Sequence, residues 1–284
     1  MAQRLNGCIR QGDTVARLGG DEFVVMLQDL GGDAVEATDQ VAAVGAKVLA
    51  ALKLPYQLGG KIAELRRRFA QDVIGNRVRP SRDWNKDCSA YNVHIQPDDS
   101  ARDQLTAAQA GLVAAEPTLL ICPADTLHVS VAWLLAVHID YGESKQEIWA
   151  RHGAEWCAQL ADIAAQHGPF ELRFRWLVVT DTSVIAIATP TEPVQQLRAA
   201  ITASLFLPPQ TKNNADIVHI TVARYRSPLA NPAGLLAQAH ATPLDAPSLA
   251  DALVVSEELV FPSLVTHVRA RLKLGGTTSW ETSA

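Results

Sequence analysis

Two segments, Leu127-His128-Val129-Ser130-Val131 and Val218-His219-Ile220-Thr221-Val222, share one pattern: apolar, histidine, apolar, hydroxyl, apolar. Side chains alternate between the two faces of a β-strand. Each histidine therefore shares a face with the hydroxyl two residues on, while the aliphatic residues point into a core. Histidine titrates near neutrality, so one imidazole can take a proton from water while another gives one up. A serine and a threonine beside them can hydrogen-bond the oxygens of a phosphate and stabilise charge that grows there. His128, His219, Ser130 and Thr221 thus form a symmetric kit for gripping a phosphate and moving protons on both sides of it. A single such motif on an apolar strand is ordinarily a packed residue; the repetition carries the signal.

Strand alternation also sorts the neighbours. Tyr225 falls on the face of His219 and Thr221 and is a candidate to stack on a base, whereas Arg224 and Arg226 point away. Arg224 is kept as a candidate phosphate contact. Trp133 falls opposite His128 and reads as core. His138, His152, His167, His240 and His267 lack any comparable pattern and read as ordinary residues.

The elements that must position these groups follow from hydrophobic periodicity and turn residues. The sequence predicts a strand–turn–strand around Gly19-Gly20, then an Ala/Val-rich helix over 34–54 closed by Pro55. Residues 62–86 carry Arg66, Arg67, Arg68, Arg77, Arg79, Arg82 and Lys86, the most basic stretch of the chain. They read first as a linker or solvated helix and second as a phosphate-attracting rim. From Ala90 onward short strands and helices are interspersed with hairpins. The expected fold is therefore α+β, with two pseudo-symmetric lobes of antiparallel sheet and flanking helices around a central cleft. The expected boundaries are 1–60, a basic linker at 61–89, a main domain at 90–274 and a tail at 275–284.

Composition sets the frame. The chain has 284 residues, 48% hydrophobic and 19% charged, as in an ordinary soluble globular protein. A net charge of -5 argues against a generally basic nucleic-acid coat but not against a local basic cleft. Cys8, Cys88, Cys122 and Cys157 are far apart with no C-x-x-C pair, as expected of reduced thiols in a cytoplasmic protein. No apolar run reaches the roughly 18–20 residues of a membrane span, and the start lacks a signal-peptide core. A monomer is expected.

With the paired motifs in view, residues 90–274 resemble the 2H phosphoesterase superfamily, named for two H-x-[ST]-x motifs. The closing segment Val254–Val260 with Pro262-Ser263-Leu264 resembles that family's final hairpin. The family includes RNA 2′,5′-ligase-like proteins and 2′,3′-cyclic nucleotide phosphodiesterases. The resemblance implies an RNA or nucleotide substrate with a cyclic or 2′,5′ phosphodiester, no required cofactor, and His128 as acid with His219 as base.

Near the N-terminus, Arg17-Leu18-Gly19-Gly20-Asp21-Glu22-Phe23 resembles the signature of GGDEF diguanylate cyclase domains. In that family the glycines let backbone approach GTP, and the residue matching Asp21, with Glu22 beside it, helps hold Mg²⁺. Arg10-Gln11-Gly12-Asp13 resembles the family's inhibitory R-x-x-D site, which makes Arg10 and Asp13 a candidate cyclic-di-GMP site. The segment is expected to be the C-terminal half of such a domain, lacking central strands, and inactive. The expected function is metal-independent cleavage of a cyclic or 2′,5′ phosphodiester. The alternatives are a Mg²⁺-dependent diguanylate cyclase and a module that binds RNA or a nucleotide without turnover.

Overall fold

The computed structural model describes residues 5, 8–10, 12–19, 22–30, 33–53, 58–213, 215 and 217–276. The chain divides into two compact units, Met1–Lys61 and Ile62–Ala284. In the first, strands β1 (Thr14–Gly19) and β2 (Glu22–Met26) pair antiparallel, from Thr14 opposite Met26 to Gly19 opposite Glu22. Helix α1 (Ala34–Lys53) follows, and α2 (Leu58–Ile74) straddles the boundary. Among the described residues no helix is long and apolar enough to cross a membrane.

The stretch expected as a linker or solvated helix is helical as far as Ile74, but it is packed and paired rather than only solvated. Ile62 is buried with Val178, Ile185 and Ile187, and Val73 joins the main core. Arg66 donates to the Leu177 carbonyl at 2.9 Å. Arg77 pairs with Asp72 at 2.8 Å, Arg79 with Asp181 at 2.6 Å and Lys86 with Asp83 at 3.2 Å. The segment thus combines buried apolar anchors with basic residues of which Arg77, Arg79 and Lys86 have their charge met by local carboxylates.

The second unit is built on one nine-stranded sheet, and every pairing in it is antiparallel. Its strands are β3 (Lys86–Ile95), β4 (Leu119–Ile121), β5 (Val129–Leu135), β6 (Phe170–Val179), β7 (Ser183–Thr189), β8 (His219–Tyr225), β9 (Ala246–Ala250), β10 (Ala252–Phe261) and β11 (Val265–Lys273). The order β11-β10-β3-β5-β8-β7-β6-β9, with β4 pairing β8, places the two motif strands side by side at the middle. They touch through a single pair, Val129 opposite Ile220. Beyond that pair β5 and β8 diverge: β4 runs beside the far end of β8, and the side-chain amide of Asn213 bonds both the N–H and the carbonyl of Trp133 on β5.

The helices are α3 (Asp99–Ala115), α4 (Lys145–Gln166), α5 (Glu192–Ser204) and α6 (Pro232–Ala241). Three of them begin at caps written in the sequence. Asp98 accepts from Ala101 N, Ser144 and Glu147 form a reciprocal capping box, and Asn231 accepts from Gly234 N ahead of Pro232 in the first turn. Apolar residues recur at helical spacing and are buried: Ala101, Leu105, Ala108 and Leu112 in α3, and Val194, Leu197 and Ile201 in α5. Each of these two faces also buries one polar residue, Gln109 and Arg198.

Candidate active site

His128 lies at the entry to β5, and His219 is the first residue of β8. A recess of about 40 Å³ is lined by Cys122, Thr126, His128, Ser130, His219, Thr221, Arg224 and Pro262. Five of the sequence-derived candidates therefore meet at one place: both histidines, both hydroxyls and Arg224.

Arg224 was expected to point away and Tyr225 toward the site; the structure exchanges them. Along the β7–β8 ladder Val184 faces Ala223 and Ile185 faces Thr221, so Val222 is an extra residue. Such a β-bulge shifts the side-chain alternation by one position. His219, Thr221 and Arg224 thus share the recess, while Tyr225 turns into the core. Tyr225 is fully buried and donates from its hydroxyl to the Thr180 carbonyl at 2.6 Å. It is a core residue, not a base platform.

The first motif carries the same device. His94 faces Ser130 and Val93 faces Ala132 across β3–β5, which leaves Val131 as the extra residue. Trp133 thereby takes the phase of His128 and Ser130. It is half-buried and does not join the core assigned to it from alternation.

His128 Nδ1 lies 2.8 Å from the Thr126 carbonyl. A carbonyl only accepts, so Nδ1 carries the proton and Nε2 is left as the nitrogen that exchanges one. Burial pushes the His128 pKa down; the Thr126 carbonyl opposes this and Arg224 adds to it. His219 is also pushed down by burial, then by Arg198, His128 and Arg224, against the carbonyl of Ile217. Ile217 stands two residues before His219 as Thr126 does before His128. Nδ1 of His219 is nonetheless buried without a well-formed hydrogen bond.

Arg224 is the cation of the recess. Its guanidinium carbon stands 5.1 Å from the Phe261 ring centre, and its Nε is buried and unpaired. Glu258 is buried nearby, accepts from Ser263 N at 2.8 Å and has its pKa raised by burial, which Arg224 partly offsets. Burial pushes the Cys122 thiol up to about 11. It is therefore a neutral thiol at physiological pH and a poor nucleophile.

Sequence reasoning missed His94. Its ring centre lies 4.9 Å from that of His128, and Nδ1 donates to Asn92 Oδ1 at 2.8 Å. The same oxygen accepts from Ser256 Oγ at 3.0 Å. Its pKa lies well below the usual value, first through burial and then through His128 and Arg271. No spacing motif marks it, because it comes from a strand distant in sequence.

In the N-terminal unit, Gly19 ends β1 and Glu22 opens β2, while Gly20 and Asp21 lie outside the described residues. Asp13 accepts from Gln28 N at 3.0 Å and from Arg10 N at 3.1 Å. Arg10 donates to the Gln28 and Asp29 carbonyls at 2.6 and 2.8 Å. The R-x-x-D pair thus ties the entrance of β1 to the exit of β2, beside a hollow of about 430 Å³ that both residues line. Among the described residues no three His, Cys, Asp or Glu side chains are grouped to hold a metal ion.

Residues 97–259 match the 2′-5′ RNA ligase superfamily, more than half of the chain. The chain belongs to that superfamily. Residues 1–68 match the diguanylate cyclase GGDEF domain. Among solved structures the chain is similar to TT0787 of Thermus thermophilus, at 18% identity, covering 66% of this chain and 98% of that one, with a TM-score of 0.46. It is also similar to E. coli LigT in apo form, at 15% identity, 66% and 99% coverage and a TM-score of 0.42. LigT complexed with 3′-AMP gives 16% identity, the same coverages and a TM-score of 0.42. No curated protein matches the chain. Membership in the superfamily agrees with the paired H-x-[ST]-x strands that line the recess.

Proposed function

We propose that the second unit is a phosphodiesterase that hydrolyses 2′,3′-cyclic or 2′,5′ phosphodiester bonds of RNA or nucleotides by two-histidine acid/base catalysis. One observation carries this reading: two imidazoles, two hydroxyls and one arginine line a single small recess. We read the two motif strands, with matching bulges, as related by a pseudo-twofold axis that sets the histidines on opposite sides of a bound phosphorus.

For a 2′,3′-cyclic phosphate, His219 takes a proton from the attacking water and the new P–O bond forms. The opposite P–O bond to the ribose breaks in line with it, and His128 delivers a proton to the departing oxygen. Ser130, Thr221 and Arg224 hold the nonbridging oxygens as negative charge grows on them. The protons move between imidazoles and the charge meets an arginine, so the scheme requires no metal ion. The GGDEF unit is assigned no turnover in this reading.

The test is hydrolysis of 2′,3′-cyclic AMP, and of an RNA ending in a 2′,3′-cyclic phosphate, in the presence of EDTA. Wild type should turn over at least one, and His128→Ala and His219→Ala should not. Absence of turnover by folded wild type on these and on 2′,5′-linked dinucleotides would sink the assignment.

A further inference from the structure

Both bulges lie inside the core: Val131 is 3% exposed and Val222 fully buried. A bulge takes its residue out of the regular ladder, and a buried carbonyl left unpaired costs about 1–3 kcal/mol. Two polar residues buried on otherwise apolar helix faces donate to the bulge carbonyls; that of Val222 also accepts from Cys122 N at 3.1 Å, so there the helix adds a second donor. Gln109 of α3 donates from Nε2 to the Val222 carbonyl at 2.8 Å and to the Cys122 carbonyl at 2.7 Å. Arg198 of α5 donates from Nε to the Val131 carbonyl at 3.2 Å and from Nη2 to the Ser130 carbonyl at 2.7 Å. Its Nη1 reaches the Ala215 and Ile217 carbonyls at 2.9 and 3.3 Å.

The pattern is crossed. Gln109 precedes the first motif in sequence and holds the bulge of the second; Arg198 precedes the second and holds the bulge of the first. Each also grips the segment that leads into its own motif, at Cys122 or at Ala215 and Ile217. Arg198 therefore spans the seam where β5 and β8 meet through one residue pair, while Gln109 fastens β8 to the segment that leaves β4 and leads to His128. The bulge beyond Thr221 sets the phase of Arg224, and the one beyond Ser130 sets that of Trp133.

We propose that Gln109 and Arg198 are positioning residues of the two-histidine reaction, cross-braces that lock the opposite motif strand in its bulged register and hold the two motifs at a fixed separation. The proposal rests on the phosphodiesterase reading for its kinetic readout. Arg198 has a second consequence that Gln109 lacks. Its charge is one of three electrostatic influences that lower the His219 pKa, with His128 from the lead into β5 and Arg224 from β8, while the neutral Cys122 thiol lines the same recess. Removing its charge lets His219 protonate more readily.

The experiment compares Gln109→Met, Arg198→Met and Arg198→Lys with wild type, each first shown to melt cooperatively. Turnover of 2′,3′-cyclic AMP is followed against pH, and the imidazole resonances of His128 and His219 are titrated by NMR. A displacement near 1 Å at a reacting group costs roughly a hundredfold, so Gln109→Met and Arg198→Met are expected to lose about ten- to a hundredfold in kcat/KM. Gln109→Met acts through Arg224 and should also raise KM. Arg198→Lys keeps a charge and donors and should recover most of the rate. In Arg198→Met the His219 resonance should titrate at higher pH than in wild type, and in Arg198→Lys where wild type does. Folded Gln109→Met and Arg198→Met that keep kcat/KM within about threefold of wild type, far short of a misplaced site, would overturn the proposal. So would a His219 titration identical in all four proteins. If Arg198→Met does not fold, the other two variants still decide the matter. If wild type turns over no substrate, the phosphodiesterase reading fails, while the His219 titrations still test the brace.

Discussion

The two motif strands invite comparison because so much of one recurs in the other. Each sets a histidine, then a hydroxyl, then an extra residue in the ladder, at Val131 on β5 and Val222 on β8. Each histidine has its pKa raised by a backbone carbonyl two residues back, and each bulge takes a donor from a helix. The differences fall at corresponding positions. Beside Ser130 in the ladder stands His94, but beside Thr221 stands Ile185. Beyond the bulge β5 places Trp133 where β8 places Arg224, and Gln109 answers Arg198 across the seam. In the reading proposed above the shared features would grip a phosphate, and the substitutions make the two sides unequal. The β8 side supplies positive charge; the β5 side supplies a second imidazole and an indole.

The largest expected effect breaks the grip at its shared positions. His128→Ala and His219→Ala should each lower kcat by about 10²–10⁴, the range for loss of a general acid or base. Comparable loss from both ends is what a two-sided mechanism requires. Loss from one alone would make the other a bystander. Next comes the unequal position. Arg224→Met should lower kcat by roughly 10²–10³, as loss of a transition-state charge contact does, and should weaken inorganic phosphate binding. Trp133→Leu, at the corresponding place on β5, should leave phosphate affinity as it is. Equal effects from the two would show that the bulges do not phase these residues as the ladder indicates.

Tyr225 gives a smaller and different signature. Its hydroxyl bonds only backbone carbonyls inside the core, at Thr180 and Ser183. Tyr225→Phe should therefore cost about 1–2 kcal/mol of stability by loss of that bond, seen as a lower melting temperature, with kcat and KM unchanged. A rise in KM without a change in melting would return Tyr225 to the site.

That residue also marks how far the sequence could be read. The α+β class, the antiparallel pairing and the motif residues His128, Ser130, His219 and Thr221 follow from period-2 patterns, which are local. The phase of a strand beyond a bulge is not local, because a bulge exists only relative to the partner strand, and no residue type near Val222 announces one. The exchange of Arg224 and Tyr225 was therefore out of reach. Gln109 and Arg198 were within reach: each sits among buried residues at helical spacing, and a polar group on such a face needs partners. The basic stretch misled because its charges outweighed in appearance the apolar anchors Ile62 and Val73.

The smallest effect concerns His94, where β5 and β8 differ most in chemistry. Burial holds the pKa values of His94, His128 and His219 below the ordinary 6.5, so the unfolded chain takes up protons that the folded chain refuses. Their contribution to stability is therefore complete above the ordinary histidine pKa. It declines as pH falls from there toward the folded-state values, the opposite of a histidine paired with a carboxylate. His94→Leu gives the first strand an aliphatic neighbour of the kind Ile185 gives the second. At neutral pH it loses the bond to Asn92, worth roughly 1 kcal/mol. In acid it should lose less than wild type, because one of the three refusing groups is gone. Melting temperatures of the two proteins should thus differ most above the ordinary histidine pKa and converge as the pH falls below it. Curves for His94→Leu that run parallel to wild type would mean that the buried imidazole beside Ser130 contributes no more to acid sensitivity than the isoleucine beside Thr221, and the two strands would then differ only at Trp133, Arg224 and their braces.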